Sequence, residues 1–276
     1  MFKTLLFTVM ASLLIACSQD NHIDITMSDV DKAFSELEPR IVLEKNGIKL
    51  IEANDFPLFS DTKLSLESDS TIFQFGPNNL SLTLENYSLG GPTTDQNEKN
   101  TRLNSTGQFI YIIKDKTNIK KTNSLSFDFD LKRGLNSFFI IPSRSYEMSI
   151  KNESSSIAFE LDITDTKERA KYRSITEPAV FICSPSGRYN EGISEKVLFD
   201  FVLANTLISA DGNKVRLTID NKTSFLLDKW SPFYIEGLVD GKHFFKLELV
   251  DKEGAVLEGN YSSVGPVYFS LQSVSY

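Results

Sequence analysis

The chain holds few side chains able to make or break covalent bonds. Of its 276 residues two are histidine and two are cysteine. His22 lies in a polar N-terminal stretch, and His243 in the turn-strand segment Asp240-Gly241-Lys242-His243, where a lone histidine reads as a surface residue. A zinc site takes three or four ligands, which one histidine and one cysteine cannot supply without recruited carboxylates. Cys183 ends the apolar run Ala179-Val180-Phe181-Ile182-Cys183 and reads as a buried thiol. A nucleophilic thiol needs a lowered pKa and a partner base, and that segment offers neither. No Gly-x-Ser-x-Gly elbow supports a hydrolase serine. Asp128 and Asp130 share one face of a strand, about 7 Å apart by strand geometry. They read as a wetted pair, with a calcium contact as the alternative, although no EF-hand spacing is present. The loop Ser184-Pro185-Ser186-Gly187-Arg188-Tyr189 lacks the strand-to-helix setting of a phosphate loop. Trp230, the only tryptophan, stands before Pro232, which suggests a strand edge or bend. It serves either packing between sheets or an exposed platform for sugars and aromatic groups.

Cys17 is different, because its surroundings specify a reaction. Lys3 gives a positive start, Leu5 through Ile15 is an almost unbroken apolar run, and Leu14-Ile15-Ala16 leads into the cysteine. That run is too short to cross a ~30 Å hydrocarbon core as a helix, so it reads as an export signal. Cleavage before Cys17 leaves the thiol on the first residue, where a diacylglycerol can be attached. The pattern resembles the lipobox of bacterial lipoproteins. One acyl chain gives marginal membrane residence at ~0.8 kcal/mol per buried CH₂, and several chains on one residue hold firmly. Ser18 follows, without an adjacent aspartate, which favours the outer membrane.

The formal charge is -8, and loss of the signal with Lys3 takes it to -9. An acidic chain is a poor nucleic-acid binder, which needs clustered cations against phosphates. With Cys17 modified, Cys183 is the only cysteine left, so stability is expected to come from packing without a disulfide.

The elements that position these residues are strands. Val215, Leu217 and Ile219 alternate with Arg216, Thr218 and Asp220; Phe127, Phe129 and Leu131 alternate with Asp128, Asp130 and Lys132. Phe245, Leu247 and Leu249 repeat the pattern, as one-sided burial requires. Asn46-Gly47, Asp211-Gly212, Asp220-Asn221, Asp240-Gly241 and Gly265-Pro266 supply turn signals. The spacing predicts a mainly β chain of antiparallel, immunoglobulin-like sandwiches. Residues 1–16 form the signal and 17–40 a tether, in which Val30, Phe34 and Leu37 suit a short helix. A faint repeat relates Leu80-x-Leu82-x-Leu84-x-Asn86 to Phe199-x-Phe201-x-Leu203-x-Asn205, and Leu131-x-x-Gly134-x-x-x-Phe138 to Leu238-x-x-Gly241-x-x-x-Phe245. Two matches in the same order predict two similar modules, 41–165 and 177–276, separated by the charged segment 165–176.

The second half carries Val197-Leu198-Phe199-Asp200-Phe201-Val202-Leu203-Ala204-Asn205-Thr206, Gly212-Asn213-Lys214-Val215-Arg216 and Trp230-Ser231-Pro232-Phe233-Tyr234-Ile235-Glu236-Gly237-Leu238. The first half carries Glu85-Asn86-Tyr87-Ser88-Leu89-Gly90, Gly107-Gln108 and Ser143-Arg144-Ser145-Tyr146. Through these the chain resembles, over roughly Asn46 to Tyr276, a Bacteroidota lipoprotein family loosely named phosphopeptide-binding protein. The resemblance implies two sandwich-like modules on a lipid anchor. It also implies histidines after Gly-Gln and after Ser-Tyr, where this chain has Phe109, Tyr111 and Glu147. A metal or polar ligand held there by relatives is expected to be lost here.

These readings predict a non-enzymatic binding or structural module of the cell envelope, without cofactor or metal. The expected partners are the bilayer, through acylated Cys17, and a peptide, a glycan or a neighbouring envelope protein. For an anionic ligand the candidates are Arg144, Arg188 and Arg216, since a guanidinium pairs two phosphate oxygens, with Trp230 as the aromatic contact. The competing expectation is a glycoside-type envelope hydrolase with two carboxylates across a cleft, one of them desolvated.

Overall fold

The computed structural model describes residues 41–53, 59–67, 72–93, 107–190 and 197–272. The signal, the tether with its short helix, and Cys17 lie outside the described residues. The segment 40–276 is one compact unit.

Its described elements are eighteen strands in four sheets. One sheet orders β3 (Lys63–Leu66), β4 (Gly76–Glu85) and β7 (Ser126–Leu131). It faces β10 (Lys171–Ser174), β9 (Ile157–Ile163), β8 (Gly134–Ser143), β5 (Phe109–Lys114) and β6 (Asn118–Thr122), again in sheet order. Leu64, Leu80, Leu82 and Phe127 from the first sheet meet Ile112, Phe138, Ile140 and Phe159 from the second. The second sandwich opposes β1 (Val42–Lys45), β2 (Ile48–Glu52), β16 (Phe233–Glu236), β13 (Val197–Ala204) and β11 (Ala179–Ser184). The facing sheet is β12 (Gly187–Asn190), β18 (Ser263–Gln272), β17 (Gly241–Val250), β14 (Lys214–Ile219) and β15 (Thr223–Leu227). Except for the parallel β12–β18 pair, every ladder is antiparallel. The architecture is an immunoglobulin-like β-sandwich, built twice.

The two sandwiches share one strand order: β3-β4-β7 over β9-β8-β5-β6 corresponds to β11-β13-β16 over β18-β17-β14-β15. The repeat seen in sequence marks equivalent corners of this plan. Asn86 after β4 and Asn205 after β13 both take positive φ, at 57° and 55°. Their amides donate to backbone carbonyls, of Asp61 at 3.0 Å and Ile175 at 2.8 Å. Two residues past Gly134 and Gly241, Asn136 and His243 reach back four residues to the carbonyls of Lys132 and Val239, at 2.8 and 2.7 Å.

Three sequence expectations are corrected. The hairpin β1–β2, placed in the first module by its position in the chain, pairs through β2 with β16 of the second sandwich. Its Asn46-Gly47 turn has positive φ at both residues, as a two-residue hairpin of this twist requires. The charged segment expected only to separate the modules contains β10, an edge strand on β9. Gly265-Pro266 is not a turn between strands; it lies inside β18, where the β17 register shifts. A bulge there tolerates a proline that cannot donate to the ladder.

A third apolar cluster joins the sandwiches. The outward faces of β5 and β8 (Phe109, Tyr111, Ile113, Phe139, Ile141) pack on Ala179, Phe181, Cys183 and Val202. Phe139 and Phe181 stack with centroids 4.6 Å apart. The strands concerned are buried on both faces, which is why β5, β11 and β13 read as nearly unbroken apolar runs.

Candidate binding face and the buried junction

The sheet β12-β18-β17-β14-β15 turns one face to the core and the other outward. Alternation on β17 sends His243, Phe245 and Leu247 inward and leaves Lys242, Phe244, Lys246 and Glu248 on the outer side. Register then places side chains in rows. Lys242 opposes Ser270, which opposes Arg188, so two cations flank one serine at two strand spacings, about 10 Å. The adjacent row pairs Phe244 with Tyr268, centroids 5.6 Å apart, and Tyr268 is 65% exposed. Beyond it Lys246 opposes Thr218, whose hydroxyl lies 3.0 Å from that of Ser224.

These five strands carry Arg188, Lys214, Arg216, Lys242 and Lys246 against one acid, Glu248. Arg216 grips Glu248 through Nε and Nη2 at 2.9 Å, and Lys246 holds its other oxygen at 2.8 Å. Burial pushes the Glu248 carboxyl up, but Lys246 and Arg216 outweigh it and hold the group below its usual range. Arg188 and Lys242 have no ion-pair partner among the described residues.

His243 is not the surface residue expected from its turn position: it is 6% exposed. Its Nε2 donates to the Val239 carbonyl, and Nδ1 lies 2.7 Å from an Asp220 oxygen. The other Asp220 oxygen accepts from the Phe244 N–H at 2.9 Å. This braces the backbone beneath the Phe244–Tyr268 pair.

The four ligand residues named from sequence therefore separate. Arg188 and Arg216 share the outer face, although Arg216 is taken by Glu248 and the Gly254 carbonyl. Arg144 is buried at 2% exposure after β8, donating to Ser149 O at 3.3 Å and lying over the Phe59 ring. Trp230 packs between two apolar clusters and donates Nε1–H to Phe201 O at 3.0 Å, which is a packing role. Sequence reasoning missed Lys242, Phe244, Lys246 and Tyr268. Their signal was the alternating Lys-x-Phe-x-Lys of β17, indistinguishable in sequence from an ordinary wetted face.

A second polar cluster lies inside the junction. Asp200 is 0% exposed on the outward side of β13; it accepts from Ser149 N–H at 2.7 Å and pairs with the Lys151 ammonium. Phe109, Tyr111 and Glu147, the positions singled out by the resemblance, meet in space. The two rings lie 4.7 Å apart, Tyr111 donates to Glu147 O at 3.0 Å, and Lys121 pairs with the Glu147 carboxylate at 2.6 Å. The Lys121 ammonium also sits 5.5 and 5.6 Å from the two ring centroids. A metal cation would have to displace that ammonium, and among the described residues no three metal-capable side chains cluster. Desolvation, with Asp200 beside it, pushes the Cys183 thiol well up, so its nucleophilic form is suppressed.

No family model and no curated protein matches the chain. Among solved structures it is similar to fibronectin(III)-like modules of Clostridium thermocellum CbhA, at 12% identity and a TM-score of 0.26, over 76% of this chain and 94% of that one. It is also similar to the Bacteroides ovatus mixed-linkage glucan utilization locus protein SGBP-B, solved with a heptasaccharide, at 6% identity and a TM-score of 0.20, over 76% of this chain and 70% of that one.

Proposed function

We propose that this chain is a lipid-anchored, non-enzymatic binding module of the bacterial envelope, held through Cys17 and contacting its ligand on the outer face of β12-β18-β17-β14-β15. The observation that carries the reading is the Phe244–Tyr268 pair, its tyrosine exposed, set among cations on a braced sheet. The anchor rests on the signal, the apolar run and the cysteine at its end, and Ser18 favours the outer membrane. Membership of the Bacteroidota lipoprotein family belongs to the same proposal. The competing hydrolase reading needs a desolvated acid facing solvent. Among the described residues the buried acids Glu52, Glu147 and Asp200 are each paired with a lysine, and Asp128 and Asp130 stand exposed on β7.

Capture from intact envelopes tests the reading. The anchored chain is expected to retain an envelope component that Tyr268→Ala fails to retain, and Cys17→Ser is expected to move the chain from the detergent phase to the aqueous phase. Equal capture by the Tyr268→Ala chain would remove the face from the proposal. Detergent partition unchanged by Cys17→Ser would remove the anchor.

A further inference from the structure

We propose that this outer face takes a linear acidic polysaccharide, a polymer whose sugar rings carry carboxylates. The proposal rests on the reading of that face as the binding surface and adds the chemical class of its ligand.

Charge is the first argument. A chain of net -8 has gathered five cations and one acid onto five neighbouring strands. Glu248 is consumed locally by Arg216 and Lys246, which leaves the face positive and Arg188 and Lys242 open to solvent. Random placement on an acidic protein gives the opposite sign. A guanidinium and an ammonium held about 10 Å apart across Ser270 suit an anion that recurs along a polymer better than a single compact anion.

The aromatic pair is the second argument. Along β17 the order is Lys242, Phe244, Lys246, so the Phe244–Tyr268 rings lie between cationic rows at steps of about 7 Å. The negative π face of an aromatic ring attracts the partly positive C–H face of a pyranose. A uronate ring presents that apolar face and a carboxylate at its rim, the same juxtaposition as an aromatic row bordered by cations. Ser270, Thr218 and Ser224 add hydroxyls within the same rows, donors and acceptors for sugar hydroxyls.

Shape separates a polysaccharide from a membrane surface. Phe244 and Tyr268 sit mid-strand on a sheet face, not on a protruding loop that could insert into a bilayer. A sheet face accepts an extended polymer lying across its strands, with one ring over each strand or two.

The test uses calorimetric titration of the detergent-purified anchored chain with polygalacturonate and its fully methyl-esterified neutral form, and of the Cys17→Ser chain, which has no acyl group to enter a bilayer, with phosphatidylglycerol vesicles. Polygalacturonate is expected to bind, with the neutral ester weaker by about ten-fold or more. Arg188→Ala/Lys242→Ala and Tyr268→Ala are each expected to weaken polygalacturonate binding by about ten-fold or more, with unchanged circular dichroism. Lys63→Ala/Lys171→Ala, which removes two exposed cations of the first sandwich, is expected to leave the affinity unchanged. Equal affinity for the neutral ester, lost in Tyr268→Ala, would overturn the acidic class and leave the binding face standing. Losses as large in the Lys63/Lys171 variant, binding to vesicles alone, or no binding at all would overturn the inference. Polygalacturonate binding indifferent to every face substitution would overturn both the inference and the face.

Discussion

Asp200 shows how much one residue can hold in place. Its carboxylate is 0% exposed and accepts from Ser149 N–H and Lys151, so the second sandwich grips the β8–β9 loop of the first through one side chain. Removing one partner of a buried pair strands the other charge in a medium that cannot solvate it, at a cost of about 3–5 kcal/mol. Asp200→Ala is expected to lose stability of that order in urea titration, and Asp200→Leu/Lys151→Met to recover much of it. Recovery would assign the loss to the stranded ammonium and not to the missing carboxylate volume. Tyr111 offers a pH-dependent test in the same junction. Burial first, then Glu147, Cys183, Asp200 and Tyr189, push its hydroxyl well above the usual tyrosine range. The folded chain therefore holds this proton more tightly than the unfolded chain. The contribution is complete below the unfolded pKa of about 10 and is lost as pH rises toward the folded value. At pH 7 Tyr111→Phe is expected to be less stable by about 1 kcal/mol, the hydrogen bond to Glu147 O. That gap is expected to narrow above pH 10, where only the wild type is destabilised by ionisation of this hydroxyl on unfolding. A gap constant between pH 7 and 10.5 would contradict the role of burial.

At the scale of elements, the strands were legible because burial on one face writes itself as period two. β14 and β17 alternate along most of their length, and the Asn46-Gly47 and Asp220-Asn221 corners announced their hairpins. The β5–β6 corner was not legible. Asp115 and Lys116 take the same positive φ as Asp220 and Asn221 in the equivalent hairpin, but lysine carries no signal for that conformation. The junction was hidden for a different reason. An apolar run such as Phe109-Ile110-Tyr111-Ile112-Ile113 says that both faces are buried, without naming what covers the second one. The binding face was harder still, since lysines and a tyrosine on outward positions look the same whether a ligand or water meets them. The assignment of β1–β2 was missed because strand partners distant in sequence leave no periodic trace. One glycine now records it. A Cβ on Gly237 would fall 2.0 Å from the Gly47 carbonyl oxygen, and its φ of +87° already disfavours other residues. Gly237→Ala is expected to cost more than about 1 kcal/mol and to drop hydrogen-exchange protection across Val42–Glu52 before the remaining strands. Uniform loss of protection would show that the hairpin is not docked as a separate element.

For the whole molecule, the junction decides whether the two sandwiches behave as one body. Phe139 stacks on Phe181, Tyr261 of the second sandwich donates to Glu160 of the first at 2.6 Å, and Asp200 holds the loop between β8 and β9. Each fully buried aromatic side chain contributes roughly 1.5–3 kcal/mol, so the shared cluster is worth a substantial part of a domain's net stability of about 5–15 kcal/mol. Separating the sandwiches would also leave Asp200 and Lys151 without their partners. Joint unfolding in a single transition is the expected result. Cys183 gives a direct probe, because it faces this cluster at 0% exposure and its thiol is pushed up by the same desolvation. In a Cys17→Ser chain it is the only thiol. Its alkylation at pH 8 is expected to proceed only through opening, with a free energy from exchange-limited labelling equal to that of urea unfolding. Phe139→Ala, expected to cost about 3–5 kcal/mol, should speed labelling and lower the urea midpoint together. Fast labelling at an undiminished midpoint would instead mean that the sandwiches part while each stays folded, and that the outer sheet is carried on a hinge.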